Sequence, residues 1–162
     1  MNYYELFELP ISPLIDKSGI SKKYFELQKK FHPDFFTNET EADKENALEQ
    51  SAAINKGFNI FSNKEKTVEY FLQLKGMIKA DEKYNLPPDF LMEMMELNEA
   101  IDEKNATVQQ KIEDFEKELD TELMEVLSTE KSTELDEKGL QQLKAYYYKK
   151  KYLKRILDRI ND

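Results

Sequence analysis

The chain holds a single histidine, His32, and it stands two residues before an aspartate in Phe31-His32-Pro33-Asp34-Phe35. An imidazole beside a carboxylate can move protons or supply half of a metal site. Either chemistry needs further groups. The sequence has no second histidine and no cysteine. It also has no glycine-rich phosphate loop and no nucleophile with a spaced partner. No catalytic residue, no metal site and no cofactor is therefore expected. The same residues suit docking. Pro33 stiffens the turn, so a carboxylate carried on it is presented at little entropic cost and can form a bidentate pair with an arginine of another protein.

Presentation of that turn depends on the elements around it. A first helix is expected over Tyr3–Leu9, capped by Asn2 and stopped by Pro10 and Pro13. A second is expected from about Gly19 to Phe31 behind Ser18 as cap. Its apolar residues Ile20, Tyr24, Leu27 and Phe31 are spaced four, three and four, which makes one stripe. Lys22, Lys23, Lys29 and Lys30 fall on the other side. They could steer an acidic partner toward the turn, and they are equally what an ordinary solvated helix face carries. Pro33 ends this helix, because the residue before a proline is pushed out of helical geometry. A third helix, about Glu41–Phe61, repeats its stripe through Ala47, Ser51, Ile54, Phe58 and Phe61 and can pack antiparallel on the second. Gly57 lies within it at a cost of about 1 kcal/mol against alanine, so either the second and third helices approach closely there or the cost is tolerated. A fourth helix runs through Val68, Phe71 and Leu72 to Gly76, a C-cap residue.

Residues 1–76 thus form one expected domain. Residues 77–87 are polar, lack periodicity and close in Leu86-Pro87-Pro88, which reads as a linker. Residues 88–162 carry three helical segments, Asp89–Glu103, Asn105–Leu127 and Leu135–Ile160, with a break at Ser128–Thr133. The middle stripe is Val108, Ile112, Phe115, Leu119, Leu123 and Val126. The last is Leu143, Tyr146, Leu153, Leu157 and Ile160, with Lys150 at the seam. Short connections between amphipathic helices suggest an antiparallel bundle. Charge is unevenly spread. Residues 88–130 hold fourteen acids and three bases, residues 144–159 seven bases and one acid. These blocks either face each other in the bundle or are separately solvated.

The segment Asp89–Glu103 has more apolar surface than one packing face needs. Its core stripe is Phe90, Met94, Leu97 and Ile101. Leu91, Met92 and Met95 lie off it, on a face shared with Glu96, Glu99 and Glu103. Methionines bordered by carboxylates make an adaptable binding surface, while a broader core contact fits the spacing as well. Tyr147, with Leu140, could extend this patch from the last helix.

Composition agrees with an all-helical protein. Of 162 residues, 40% are hydrophobic, and only four are glycine and five proline. A net charge of −9 argues against a general nucleic-acid binder. No apolar run is long enough to span a membrane. The first residues lack a signal-peptide pattern, and with the missing cysteines this leads to an expected intracellular location.

A helix, an exposed His-Pro-Asp loop and an antiparallel helix resemble a J-domain, the module that stimulates ATP hydrolysis by a partner chaperone. More specifically, Tyr3-Tyr4-Glu5-Leu6-Phe7-Glu8-Leu9, Leu27-Gln28-Lys29-Lys30-Phe31-His32-Pro33-Asp34, Gln50-Ser51-Ala52-Ala53-Ile54-Asn55 and Phe90-Leu91-Met92-Glu93-Met94-Met95-Glu96-Leu97 together resemble the HscB family of J-domain co-chaperones of iron–sulfur cluster assembly. The resemblance covers nearly the whole chain, and the last motif is its specific part. It implies an L-shaped, all-α protein with an N-terminal J-domain and a C-terminal three-helix bundle. The partners it implies are a DnaK/HscA-type chaperone ATPase and an IscU-type iron–sulfur scaffold protein, with the chain a monomer or weak homodimer and no enzyme. By the same resemblance His32, Pro33 and Asp34, helped by Lys22, Lys23, Lys29 and Lys30, would drive the ATPase. Leu91, Met92, Met95, Glu96, Glu99, Glu103 and Tyr147 would contact the scaffold. Tyr147 departs mildly from a familiar phenylalanine. The cysteine-rich N-terminal motif of some eukaryotic members is missing, which points to a bacterial cytoplasm. The other reading of the same fold is a general J-protein whose bundle holds unfolded polypeptides or dimerises.

Overall fold

The computed structural model describes residues 1–104, 106–129 and 134–160, and among them every regular element is helical. The helices are α1 (Tyr3–Leu6), α2 (Lys17–Phe31), α3 (Glu41–Phe61), α4 (Lys64–Leu74), α5 (Pro88–Asp102), α6 (Val108–Thr129) and α7 (Glu137–Ile160), with a 3₁₀ turn at Pro33–Phe36 between α2 and α3. The chain divides into two compact units, Met1–Phe71 and Leu72–Asp162.

In the first unit α2 packs on α3, and α1 and the 3₁₀ turn pack on α3 as well. The core is Tyr4, Phe7, Ile20, Leu27, Ile54 and Phe61, flanked by Tyr24, Phe31 and Phe58. The stripes expected on α2 and α3 face this core, with Ile20, Leu27, Ala47, Ser51, Ile54 and Phe61 buried and Tyr24, Phe31 and Phe58 half-buried, and α3 has the expected bounds. Two local expectations differ. Asp16, not Ser18, caps α2: its carboxylate accepts from the Ser18 backbone N–H at 3.0 Å and from the Ser18 hydroxyl at 2.7 Å. And α1 ends at Leu6, because Glu8 adopts a left-handed backbone (φ 55°) from which Leu9 N–H closes onto Tyr4 O at 2.8 Å. Gly57 answers to a close approach, though not of α2. A Cβ there would lie 2.6 Å from Cε1 of Phe7, whose ring meets Phe61 edge-on.

In the second unit α5, α6 and α7 pack pairwise. Buried residues are Phe90, Met94, Leu97 and Ala100 on α5, Ile112, Leu119, Leu123 and Leu127 on α6, and Leu143, Tyr146, Leu153 and Ile156 on α7. Relative to the expected stripes, Ala100 is buried where Ile101 is only half-buried. Leu127 and Ile156 likewise replace the half-buried Val126 and Leu157. Helix α6 continues through Thr129; the helix start expected at Asn105, the remainder of the break at Ser128–Thr133 and the seam side chain of Ile160 lie outside the described residues. The acidic and basic blocks do face each other. Lys150 reaches Asp120 at 3.3 Å, Lys149 reaches Glu122 at 3.8 Å, and Arg159 reaches Asp102 at 2.6 Å and Asn98 at 2.8 Å. Phe90 meets Tyr152 and Asp102 meets Arg159, so α5 and α7 run in the same direction.

Residues 77–87 are not a free tether. Glu82 accepts from Lys144 Nζ at 2.7 Å and from the Tyr148 hydroxyl at 2.6 Å, and the Tyr84 ring stacks on Tyr148 at 4.4 Å. Lys144 and then Tyr148 hold the Glu82 carboxyl below the usual carboxylate range, while burial first and Glu82 second push the Tyr148 phenol up.

Candidate functional site

The His-Pro-Asp turn is built from the end of α2 outward. His32 is the C-cap of α2, with its N–H on Gln28 O at 2.8 Å and an extended backbone (φ −62°, ψ 134°), the conformation Pro33 imposes on its predecessor. The chain then tightens into one 3₁₀ turn, Phe35 N–H closing on His32 O at 3.0 Å. The imidazole Nδ1 accepts from Asp34 N–H at 3.2 Å and stands 3.5 Å from the Asp34 carboxylate. While it accepts that backbone proton, Nδ1 cannot also donate to the carboxylate. The Asp34 side chain, 86% exposed, is thus left to solvent on a backbone braced from both sides. This is a presented acceptor.

The hairpin beneath is pinned by polar bonds as well as by its core. Tyr24 and Gln28 both donate to Asn55 Oδ1, at 2.8 and 3.0 Å, and Ser51 donates to Gln28 Oε1 at 3.1 Å. Four side chains on two helices therefore fix the register that places the turn.

The four lysines do not form one face. Lys23 is mostly buried along its stem and bonds Glu8 at 2.8 Å, which holds the Glu8 carboxyl below its usual range. Lys30 lies over the Phe31 ring at 5.3 Å. Lys22 and Lys29 are exposed and lie along the same side of α2 as His32. Helical spacing groups all four, because the partner of Lys23 is fifteen positions away. Two aromatic rings outside that group, Phe25 and Phe35, are 64% and 66% exposed. Phe25 was detectable as a large apolar residue out of phase with its own stripe.

On α5 the structure separates two faces. Met94 and Leu97 are fully buried, while Leu91, Met92 and Met95 are exposed, bordered by the exposed Glu96, Glu99 and Glu103. Glu96 also lines an open cleft of about 280 Å³ between α5 and α6, rimmed by Glu93, Asp114, Glu118 and Lys111. Tyr147 is half-buried on α7. It packs edge-on against Tyr148 at 5.0 Å with Lys151 over its ring at 5.8 Å, five residues before the Tyr152 that meets Phe90. Through Tyr148, its position is tied to Glu82 and Tyr84. Among the described residues no three His, Cys, Asp or Glu side chains are placed to hold a metal ion, and no helix is long and apolar enough to cross a membrane.

With this geometry in hand, the chain can be set beside known proteins. Residues 86–161 match the family model of the HscB C-terminal oligomerisation domain. Along its full length the chain is similar to the solved structure of the chaperone HscB from Vibrio cholerae, at 30% identity and a TM-score of 0.60, covering 99% of both chains. The chain belongs to the HscB family. A co-chaperone protein HscB homolog of Vibrio cholerae is 41% identical over 107 residues, which span 65% of this chain and 63% of that protein. The fold also matches the crystal structure of the human co-chaperone protein HscB, at a TM-score of 0.81 and 22% identity, covering 99% of this chain and 81% of that one. The HscB fold, a J-domain followed by a helical bundle, gives the two surfaces their setting: one lies at the tip of the α2–α3 hairpin, the other on the outer face of α5.

Proposed function

We propose that this HscB-family chain is a co-chaperone that stimulates the ATPase of a DnaK/HscA-type chaperone and delivers an IscU-type iron–sulfur scaffold protein to it. The observation that carries the reading is the exposed, braced carboxylate of Asp34. A rigid, solvent-facing acceptor is suited to pairing with a guanidinium on another protein. Lys22 and Lys29 favour approach of an acidic surface. The Leu91, Met92 and Met95 face, edged by carboxylates, supports a separate contact with the scaffold. The mechanism is linkage: the turn binds the hydrolysis-competent state of the chaperone more tightly than the other, and the bundle supplies the client in the same event.

The test is steady-state ATP turnover by the chaperone with Asp34→Asn. The amide keeps shape and loses the charge, so stimulation is expected to vanish while helical content and scaffold binding persist. Wild-type stimulation by that variant rejects the assignment.

A second reading has one observation in its favour. The matching family model is described as an oligomerisation domain, and the same α5 face could serve a second copy. Sedimentation of the wild type and of Leu91→Ala/Met92→Ala/Met95→Ala separates the two. Self-association lost together with an unaltered scaffold affinity supports the second reading.

A further inference from the structure

One residue of α2 does not fit a helix buried on a single side. Phe25 is 64% exposed, although Ile20, Tyr24, Leu27 and Phe31 already supply the buried stripe. At about 100° per residue, Lys22, Phe25, Lys29 and His32 fall within an arc of about 80°. Along the helix axis Phe25 therefore stands between the two lysines, on the side that leads to the His-Pro-Asp turn. It is also held in place. Its edge meets Tyr24 at 5.6 Å, and Tyr24 is fixed by the Phe58 ring at 4.4 Å and by its hydroxyl on Asn55 at 2.8 Å. An aromatic ring whose orientation is set before binding gives up little entropy on burial, the property of an anchor residue.

We propose that Phe25 is the apolar anchor of the α2 docking surface, and that its occupant is an acidic face of the partner ATPase carrying an apolar recess between carboxylates. The inference rests on the reading of the chain as an ATPase-stimulating co-chaperone. Continuity selects that occupant. Phe25 lies seven residues from His32, about 10 Å along the helix axis. A standard interface of about 800 Å² per partner has a radius of about 16 Å, so a protein gripping Asp34 covers Phe25. Charge selects its chemistry, because Lys22 and Lys29 flank the ring. The two lysines set the encounter rate and its salt dependence; the ring sets the dwell time.

The experiment titrates a DnaK-type chaperone with wild type, Phe25→Ala, Phe25→Lys and Asp34→Asn, reading ATP turnover. Phe25→Ala should raise the concentration for half-maximal stimulation about tenfold, with the maximum still reached at higher concentration. Phe25→Lys should be weakened as much or more, despite its added positive charge. Asp34→Asn should lose the maximum itself. Because the ring is exposed, circular dichroism and thermal midpoint should match wild type for both Phe25 variants. A wild-type titration curve for Phe25→Ala overturns the anchor and leaves the co-chaperone reading standing. Tighter action by Phe25→Lys overturns it too, since charge alone would then account for recognition. Loss of self-association in Phe25→Ala with unaltered ATPase assigns the ring to a second copy and overturns it as well. If the wild type stimulates no turnover, the co-chaperone reading falls and this inference with it.

Discussion

Met92, Met94 and Met95 share a chemistry and nearly a sequence position, yet truncating them should have opposite consequences. Met94 is 0% exposed at the centre of the bundle. Met94→Ala leaves a cavity and should cost about 2–5 kcal/mol, enough to lower the thermal midpoint of a unit this size by about 10 °C or more. Leu91, Met92 and Met95 are 36%, 63% and 62% exposed. Each keeps part of its side chain against the fold, Leu91 the most, so the triple alanine variant should lose some stability, though less than Met94→Ala with its cavity. Its larger loss should fall on binding. Together the three side chains expose roughly one and a half side chains' worth of apolar surface, and full burial of one contributes about 1.5–3 kcal/mol. Allowing for the Cβ that alanine keeps and for incomplete cover, scaffold affinity should fall by about 2–3 kcal/mol, or roughly 30- to 150-fold in Kd. Calorimetric titration of an IscU-type scaffold reads the affinity, and thermal unfolding by circular dichroism reads the stability. An unaltered Kd for the triple variant, or a melting loss as large as that of Met94→Ala, refutes the assignment of this face as an exposed contact surface.

Lys22→Ala and Lys29→Ala should each weaken ATPase stimulation, with the loss growing at low salt, whereas Lys23→Ala should do less because its ammonium is already committed to Glu8; titrations at two ionic strengths rank them. Gly57→Ala should destabilise the first unit by about 1–2 kcal/mol in denaturant unfolding, since crowding against Phe7 outweighs the helix-propensity gain, and Phe7→Leu in that background should restore part of the loss. Glu82 titrates below the usual carboxylate range in the folded protein, so its stabilisation is present at neutral pH and is lost as pH falls through that lowered value. Glu82→Gln should accordingly be less stable at neutral pH and show a shallower acid dependence of the thermal midpoint.

The elements that spacing determines were legible in the sequence. The α2 and α3 stripes, the α3 bounds and the outward face of α5 all follow from a helix burying one arc of its circumference. A three-four rhythm on Phe90, Met94 and Leu97 leaves Leu91, Met92 and Met95 outside whatever the helix packs against. What the sequence hid depends on contacts between distant positions or on backbone states with no residue signature. The early end of α1 follows from a left-handed glutamate, where no glycine or asparagine marks the site. Asp16 and Ser18 are both good caps, and only the folded structure shows that Asp16 bonds both the backbone and hydroxyl groups of Ser18. Residues 77–87 lack periodicity because they are fastened by individual side chains, Glu82 and Tyr84, to residues more than sixty positions on. Periodicity reports packing of regular elements; it is silent on a strap.

Both candidate surfaces are made the same way. A side chain surplus to the core is carried on a backbone that the core and a polar network hold rigid. For Asp34 the support is the Tyr24, Gln28, Ser51 and Asn55 network together with the 3₁₀ turn. For the α5 face it is the fully buried Met94 and Leu97 one turn away. Surplus side chains of this sort matter less to folding than their fully buried neighbours, so substitutions there should change partner affinity more than stability. They do carry a cost in specificity. An exposed leucine and two methionines are also attractive to a second copy of the chain, and the border of Glu96, Glu99 and Glu103 opposes that contact: two such faces brought together would juxtapose their carboxylates, while a scaffold with basic groups at its rim would neutralise them. Under the proposed function, the carboxylate border would let one apolar patch favour a foreign partner over itself. On this argument Glu96→Gln/Glu99→Gln/Glu103→Gln should strengthen self-association while weakening scaffold binding, whereas a merely solubilising border would leave scaffold binding as it was.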